Sequence, residues 1–213
     1  GVEEAGLGVV FGDVDDDGWP DLYIANDKDP NLLYLNRGDG TFEDISLLSG
    51  TAYDRNGLAE AGMGVEMADF DGDLKLDLFV TNFALETNGY YKNSGFGVFL
   101  DHRFAARLAE ASLHKLAFGA SALDVELDGD LDLVVANGHI LPNAAELSPV
   151  KEYEMPNQLF ENLGRGIFRE RNGVGMDGVQ VSRGSATGDL DLDGDREILF
   201  INSNQVAEVY DNR

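Results

Sequence analysis

The 213-residue chain carries 40 acidic residues against 15 Lys and Arg, a formal charge of −25 at pH 7, yet its hydrophobic fraction of 43% is that of an ordinary globular protein. Such a charge repels nucleic acid and anionic membrane surfaces, and the absence of cysteine excludes disulfides, thiolate zinc sites and cysteine nucleophiles. No apolar run approaches the ~20 residues of a membrane span, and the start at Gly1, without Met or a signal-like segment, is expected of a mature form or a fragment.

The first repeat shows an order of elements that the others share. A small-residue strand over Gly8–Gly12 leads into an acidic loop, and a β-prone run over Leu22–Ala25 follows the loop. A third strand is predicted at Leu32–Asn36, and a glycine-containing turn leads to a fourth at Thr41–Ile45. The pattern predicts a four-stranded antiparallel blade.

The same order recurs three more times, with a period of roughly 55–65 residues that is typical of propeller blades. The predicted strands of the second repeat are Gly64–Ala68, Leu78–Thr81, Tyr90–Asn93 and Val98–Asp101. Those of the third are Phe118–Leu123, Leu133–Ala136, Leu159–Asn162 and Ile167–Arg171. The fourth repeat has only three, Ser185–Gly188, Ile198–Ile201 and Val206–Asn212.

We therefore predict an all-β fold, a β-propeller or an arc of one, built from four four-stranded antiparallel blades of which the last is incomplete. The chain forms a single repeat array over residues 1–213, with blades at about 7–56, 63–112, 118–175 and 184–213. Stacking blades around an axis protects their edge strands. One Asn also recurs at the end of each second strand, as Asn26, Asn82, Asn137 and Asn202.

The acids concentrate in the loop that joins the first two strands of each blade. Positions 1, 3, 5 and 9 of each nine-residue loop carry a carboxylate. The sets are Asp13, Asp15, Asp17 and Asp21; Asp69, Asp71, Asp73 and Asp77; Asp124, Glu126, Asp128 and Asp132; Asp189, Asp191, Asp193 and Glu197. These sixteen side chains are a large part of the 40 acids, so the acidity is mainly a property of the loops.

Four carboxylates on one short loop repel each other unless a cation lies between them. Calcium accepts about 6–8 oxygens in a flexible shell, whereas magnesium demands a tighter octahedron, so calcium is the better fit. The position-7 carbonyl can join the shell, at Trp19, Lys75, Asp130 and Asp195. Asp and Gly also form ordinary turns, but four copies in register favour metal loops and up to four Ca²⁺ ions.

These loops are not EF-hands. An EF-hand needs a bidentate acid at position 12 and a helix that leaves the loop. Position 12 is here apolar and lies inside a predicted strand, as Ile24, Val80, Val135 and Phe200.

Several stretches resemble known repeats. Phe11-Gly-Asp-Val-Asp-Asp-Asp-Gly, Asn36-Arg-Gly-Asp-Gly-Thr-Phe and Asp77-Leu-Phe-Val-Thr-Asn-Phe are similar to FG-GAP/VCBS repeats and, more closely, to the propeller part of ASPIC/UnbV proteins. The resemblance implies a calcium-binding propeller, usually secreted or on the cell surface, with binding or adhesive roles and no assigned catalysis. The calcium positions of the family carry over to the sixteen acids.

Two departures from the family pattern concern the loops. Leu74 stands at position 6 of the second loop, where the other loops have Gly18, Gly129 and Gly194, and leucine is costly there if φ is positive. This makes the second site the weakest of the four predictions. Glu126 and Glu197 replace Asp, which changes reach but keeps an oxygen ligand.

From these features we expect a non-catalytic calcium-binding module that binds protein or glycan outside the cytoplasm, whether extracellular, cell-surface or periplasmic, or that serves adhesion or assembly. Two alternatives stay open. One is a calcium-dependent carbohydrate-active enzyme of the polysaccharide lyase kind, and the other is a subunit whose propeller is completed by another chain, by an oligomer or by a larger chain.

Four further signals carry less weight. The histidines His102, His114 and His139 are scattered, so we predict no catalytic or zinc role for them. Arg37–Asp39 spells an integrin-type tripeptide but fills a hairpin-turn slot. Residues 103–116 are predicted to form a short helix between the second and third blades, and the long loop from His139 to Pro156 is predicted to offer Tyr153 and Met155 as contact surface.

Overall fold

The computed structural model describes residues 4–147, 149, 150 and 152–212. The first blade contains four antiparallel strands in the order β1-β2-β3-β4. They are β1 (Gly6–Gly12), β2 (Asp21–Asn26), β3 (Leu32–Asn36) and β4 (Phe42–Asp44), followed by the single-turn helix α1 (Ser46–Ser49).

The second blade repeats this arrangement in the order β5-β6-β7-β8. Its elements are β5 (Val65–Ala68), β6 (Asp77–Val80), β7 (Gly89–Asn93) and β8 (Phe99–Asp101), followed by α2 (Ala109–Ser112).

The third blade carries the long insertion between its second and third strands. Its elements are β9 (Ala117–Leu123), β10 (Asp132–Asn137), α3 (Ala144–Leu147), β11 (Met155–Pro156), β12 (Gln158–Asn162), β13 (Phe168–Arg171) and β14 (Val179–Gln180). The sheet order is β9-β10-β12-β13, and β11 pairs separately with β14.

The fourth blade has three described strands, β15 (Ser182–Gly188), β16 (Glu197–Asn202) and β17 (Glu208–Tyr210), in that order. The predicted all-β propeller arrangement of four blades, with the last one incomplete, is confirmed. None of the helices among the described residues is long or apolar enough to cross a membrane.

Adjacent blades pack face to face through the two sides of their second strands. In β2, Tyr23 and Ala25 are buried against the second blade, in one cluster with Leu78 and Val80 of β6. We call the side of a blade that packs on the next blade its following face, and the opposite side its preceding face. Because side chains alternate along a strand, each blade buries both faces only if it has a neighbour on each side.

Two more clusters of the same kind hold the array together. Phe79 on the following face of the second blade packs with Leu133 and Val135 of the third. Val134 and Ala136 on the following face of the third blade pack with Ile198 and Phe200 of the fourth. The core is therefore a series of blade-to-blade interfaces rather than one central mass.

The Asn that ends each second strand has a local structural role. Its Nδ2 donates to a carbonyl of the turn that follows, at distances of 2.6–3.0 Å. The pairs are Asn26 with Pro30, Asn82 with Thr87, Asn137 with Pro156 and Asn202 with Val206. The Asn that recurs in the sequence therefore stabilises the connection from the second strand to the third.

The predicted helix over residues 103–116 is much shorter in the structure. Only Ala109–Ser112 is helical, because Arg107 has a φ of 67°, which ends any helix that begins earlier. Arg103 is buried and donates from both Nη atoms to Glu60, at 2.7 and 2.8 Å, and from Nε to Asp101 at 3.0 Å. This ion pair holds the segment after the second blade against the loop that precedes it.

The prediction that Met155 offers contact surface is wrong. Met155 is fully buried with Met63, Ala84 and Leu116, and its sulfur accepts the backbone N–H of Leu116 at 3.4 Å. Met155 therefore packs the inserted loop against the apolar cluster beneath it. Tyr153 stays partly exposed.

Candidate metal centres in the blade loops

The first aspartate of each loop organises the turn around itself. Asp13 accepts the N–H of Asp17 at 3.1 Å and that of Gly18 at 2.8 Å, one on each carboxylate oxygen. The second and third loops repeat this pair of hydrogen bonds at Asp69 and Asp124. In the fourth loop Asp189 accepts the N–H of Leu192 at 2.7 Å. The loop backbone thus fixes the first carboxylate without using all of its lone pairs.

The loop needs a left-handed residue at position 6. Gly18, Gly129 and Gly194 have φ values of 90°, 96° and 106° there, and Leu74 has a φ of 69°. The leucine is therefore held in a conformation that costs a residue with a Cβ roughly 1–2 kcal/mol. The backbone strain that the sequence predicts for Leu74, if its φ is positive, is therefore present in the second loop.

Replacing Leu74 with Gly is expected to raise the free energy of unfolding by about 1 kcal/mol, because glycine takes a positive φ without strain. Urea unfolding in the presence of a chelator measures the effect without a contribution from metal. The matched control is Leu190→Gly, an exposed loop leucine without a positive φ, which is expected to destabilise. If Leu74→Gly destabilised the chain as much as Leu190→Gly, strain at position 6 would be refuted.

Three of the four loops bring carboxylates together. Oxygens of positions 1, 3 and 5 lie within 4.8 Å of one another in the first and second loops. In the fourth loop Glu197 completes two such groups, one with Asp189 and Asp191 and one with Asp193 and Asp195. Oxygen groups at this spacing suit a hard divalent cation with an all-oxygen shell.

Several of these oxygens are buried and have no hydrogen-bond partner. They are Oδ1 of Asp71, Oδ1 of Asp195 and Oε1 of Glu197. A buried carboxylate oxygen without a donor or cation costs free energy. Because such oxygens occur inside the acidic groups of the second and fourth loops, the residues present fit a bound Ca²⁺ ion.

Cationic side chains of the protein enter the second loop. Lys92 forms an ion pair with Asp71, and the Nζ of Lys75 lies 3.0 Å from Asp73. These ammonium groups neutralise part of the carboxylate charge, and a calcium ion would have to displace Lys92. Lys92 and Leu74 therefore both make calcium binding at the second loop less favourable.

The third loop is arranged differently. Its Glu126 turns to Arg171, at 3.2 Å between Oε1 and Nη1, and among the described residues the loop forms no group of three converging acids. The longer Glu side chain reaches an arginine on the fourth strand of its own blade. Asp124, Glu126 and Asp128, which the sequence pattern placed in one site, therefore do not form a converging group in the described structure.

The ninth position serves the framework of the blade. Asp21 is buried, accepts the N–H of Val14 at 2.9 Å on one oxygen and that of Asn36 at 2.8 Å on the other. Asp132 accepts the equivalent N–H groups of Val125 and Asn162. Asp21 and Asp132 therefore join their loops to the end of the third strand and enter no described group of converging acids, whereas Glu197, at the ninth position of the fourth loop, enters two.

Burial raises the pKa of these carboxyls. Loss of solvation raises the pKa of Asp77 to about 6, against the hydrogen bonds from Asn93 and Tyr90 that favour the charged form. It raises the pKa of Asp132 to about 7, and the negative charge of Glu126 adds to the effect. These two carboxyls therefore take up protons closer to neutrality than an exposed aspartate does.

The position-7 residues bind their loops through the backbone. The N–H groups of Trp19, Lys75, Asp130 and Asp195 each donate to the position-5 carboxylate, at 2.8–3.3 Å. The indole of Trp19 also lies against Gly38, where an added Cβ would come 2.5 Å from its Nε1. Gly38 therefore belongs to a tight hairpin, in which Arg37 pairs with Glu43 and Asp39 accepts from Thr41.

Sequence reasoning missed one set of residues that join neighbouring blades. The Asn at the end of a third strand donates from Nδ2 to the carbonyl of position 2 in the preceding blade's loop. Asn93 reaches Val14 at 2.9 Å and Asn162 reaches Phe70 at 2.7 Å. Asn212 makes the same contact with Val125 at 3.0 Å. Their recurrence at the end of each third strand, or two residues beyond it for Asn212, was the available signal.

Four stacked blades with acidic turns between their first two strands define a β-propeller array. Residues 13–80 match the model of the FG-GAP-like repeat. Cartilage acidic protein 1 of Xenopus tropicalis is 26% identical over 211 residues, which cover 95% of this chain and 30% of that protein. The human cartilage acidic protein 1 is also 26% identical, over 95% of this chain and 29% of its own length.

The predicted resemblance to FG-GAP repeats and to the cartilage acidic protein group is therefore confirmed, and the chain spans about 30% of the length of these relatives. Among solved structures, a Bacillus licheniformis rhamnogalacturonan lyase aligns with a TM-score of 0.49 at 15% identity, over 93% of this chain and 41% of the lyase.

Proposed function

We propose that this protein is a calcium-binding propeller module, without catalytic activity of its own, that binds a protein or glycan or supports assembly outside the cytoplasm. The observation that carries the proposal is the convergence of loop carboxylates whose buried oxygens lack a donor. Asp13, Asp15 and Asp17 would hold the ion in the first loop, and the acids around Glu197 would hold it in the fourth. Bound calcium supplies the positive charge that lets these carboxylates lie together.

The positions of the loops support a stabilising role for the ion. Each loop joins the first two strands of a blade, and the position-2 carbonyl of each of the first three loops accepts from the Asn of the next blade. A cation that stiffens the loop therefore stiffens the contact between two blades. Rigid blade junctions would present a fixed surface to a ligand, as binding through preformed surfaces requires.

The calcium affinity expected of such loops supports a compartment outside the cytoplasm. Surface loops built from flexible side chains bind calcium in the weak range of about 10⁻⁴–10⁻³ M that extracellular modules show, so cytosolic calcium would leave them empty. The relatives are named for cartilage and for acidity, and this chain carries a charge of −25. Both observations support a place outside the cytoplasm.

Calcium titration by calorimetry tests this proposal. Binding of at least two Ca²⁺ ions per chain is expected, and magnesium is expected to compete weakly. Asp15→Asn should lower the stoichiometry by one because Asp15 lies in the first acidic group. The matched control is Asp39→Asn, an exposed acid in the hairpin turn outside the loops, and it should leave the stoichiometry unchanged. A chain without calcium-dependent heat would refute the proposal.

A further inference from the structure

A cavity of about 280 Å³ lies at the edge of the array opposite the acidic loops. Its walls come from the segment between α1 and β5, the turn between β6 and β7, and the residues at and after the end of β8. The acidic loop of the second blade joins β5 to β6, so the turn between β6 and β7 lies at the other end of the same strands. The cavity therefore contains no residue of the loops proposed to hold calcium.

The walls of this cavity carry more negative than positive charge. Four carboxylates stand against two guanidinium groups, namely Asp54, Glu60, Glu86 and Asp101 against Arg55 and Arg103. A concave site lined by an excess of one sign of charge attracts ligands of the opposite sign. The cavity therefore favours a cation.

Both cations of the walls already have partners. The buried Arg103 uses its Nε and both Nη groups at distances of 2.7–3.2 Å, on Glu60, Asp101, Thr87 and Tyr91. The guanidinium of Arg55 stacks on the ring of Phe104, 4.1 Å from its centroid. An anionic ligand would therefore meet an arginine whose N–H groups are all in use, among an excess of carboxylates.

Two of the carboxylates keep an oxygen without a donor. The half-buried Glu86 accepts the N–H of Ala61 on Oε2 at 2.8 Å, and its Oε1 receives no hydrogen bond from the described residues. Asp101 accepts from Arg103 on Oδ1, whereas its Oδ2 is buried without a partner. Carboxylate charge that is removed from water and only partly compensated is costly. A ligand cation would offset that cost.

Apolar side chains line the same cavity. Leu58 and Leu85 are 64% and 47% exposed there. The turn that carries Leu58 is fixed, because Asp54 accepts the N–H groups of Asn56 and Leu58 on one oxygen, each at 2.8 Å. A preformed cavity with apolar walls and a few polar groups is typical of ligand sites. These walls suit a ligand with an alkyl stem.

From the charge, the free oxygens and the apolar walls we propose that this cavity binds a primary ammonium on an alkyl stem, the chemistry of a lysine side chain of a partner protein. The stem packs on Leu58 and Leu85, and the ammonium donates to Oε1 of Glu86. The negative potential of Asp101 adds to the attraction.

The free oxygens favour an ammonium over other groups. Glu86 offers one free oxygen, whereas a guanidinium fork is matched by both oxygens of a carboxylate. A neutral sugar would leave the excess charge uncompensated, so a protein is favoured over a glycan. The role of a partner protein rests on the binding function proposed above, whereas the ammonium contacts involve no calcium.

Titration of the isotopically labelled chain with Nα-acetyl-lysine methylamide, followed by NMR, tests the proposal. The backbone amide signals of Leu58, Leu85 and Glu86 should shift and saturate with a dissociation constant of roughly 1–10 mM, as expected of so small a ligand. The same probe with an acetylated, uncharged side-chain nitrogen should leave these signals in place. Equal shifts are expected in millimolar calcium and in chelator, so failure here is distinguishable from failure of calcium binding.

Two variants separate the cavity from the general acidity of the chain. Leu58→Arg places a cation at the exposed rim and should weaken binding about tenfold, because it repels the ammonium and removes part of the apolar wall. Its matched control is Leu47→Arg, which adds the same charge to an exposed leucine on α1, outside the cavity. This control should leave the dissociation constant unchanged.

Glu86→Gln keeps an acceptor for the N–H of Ala61 and should weaken binding about fivefold. Asp39→Asn removes the same charge from an exposed hairpin turn and should have no effect.

Several results would overturn the proposal. They are cavity amides that do not respond to the lysine probe, equal shifts with the acetylated probe, and equal weakening by Leu58→Arg and Leu47→Arg. Shifts confined to the acidic loops would show attraction to the acidity of the chain in general and would also overturn it. Shifts of the cavity amides with a methyl glucoside but not with the lysine probe would assign the site to a glycan instead.

Discussion

Removing calcium is expected to lower the melting temperature of this protein steeply at about pH 8 and much less at about pH 5. Millimolar calcium is about 10-fold over a dissociation constant of about 10⁻⁴ M, so each filled site contributes about 1.4 kcal/mol of stability and two filled loops contribute about 3 kcal/mol. That is a large share of the stability of a domain of this size. Thermal melts in millimolar calcium and in chelator, at both pH values, measure the difference.

The pH dependence follows from acids inside the converging groups. Loss of solvation and the neighbouring Asp193 raise the pKa of Asp195 in the fourth loop to about 6, from a value of 3.8, and loss of solvation raises the pKa of Asp15 in the first loop. In the calcium-free chain these groups contribute stability that is fully present below about pH 4 and is lost as the pH rises through about 6. Calcium opposes that loss, because a bound cation favours the ionised carboxylates. The stabilisation by calcium therefore grows with pH.

Magnesium at the same ionic strength is the control for this experiment. It screens the acidic surface as well as calcium does but suits the flexible oxygen groups less well. If magnesium stabilised the chain as much as calcium, general charge screening would explain the effect. A melting temperature that did not respond to calcium at either pH would contradict the stabilising role.

Asp132→Ala is expected to destabilise the protein by about 2–4 kcal/mol, even in chelator. The substitution leaves two N–H groups, of Val125 and Asn162, without the acceptor they have in the folded chain. Each buried group that loses its partner costs about 1–3 kcal/mol. Part of this cost is offset, because the burial that raises the pKa of Asp132 also penalises its charged form. Urea unfolding in chelator measures the difference.

Asp128→Ala is the matched control, four residues earlier in the same loop. Asp128 is exposed and accepts one N–H, from Asp130, at 3.0 Å. Water can replace that acceptor, so a loss below about 1 kcal/mol is expected. Equal effects of the two variants would show that position 9 has no special role in the blade framework.

The second loop is in direct contact with the interface between the second and third blades. The carbonyl that accepts from Asn162 belongs to Phe70, the residue directly after the first aspartate of the second loop. Phe70 is also buried in the cluster that joins the second and third blades. A change in that loop therefore reaches the blade interface through both a hydrogen bond and a packed ring.

The sequence by itself determined the repeat, the blade order, the acidic loops and the exclusion of EF-hands. These features depend on local pattern: alternation of apolar residues predicts strands, and recurring spacing predicts equivalent positions. The left-handed position 6 was also readable, because glycine occupied it in three of the four loops. Because the same residue types recur at the same loop positions in four repeats, the role of each loop position can be predicted from the sequence.

Only the tertiary structure decided what each acid contacts. Sixteen carboxylates looked equivalent in the sequence, yet Glu126 pairs with Arg171, Lys92 pairs with Asp71, and Asp132 supports the blade framework. Each of these partners lies on another strand, tens of residues away. Which face of a strand is buried was likewise invisible, because the same alternating pattern marks a buried face and an exposed one. Burial depends on which blade lies beside each face, and that is a property of the assembled fold.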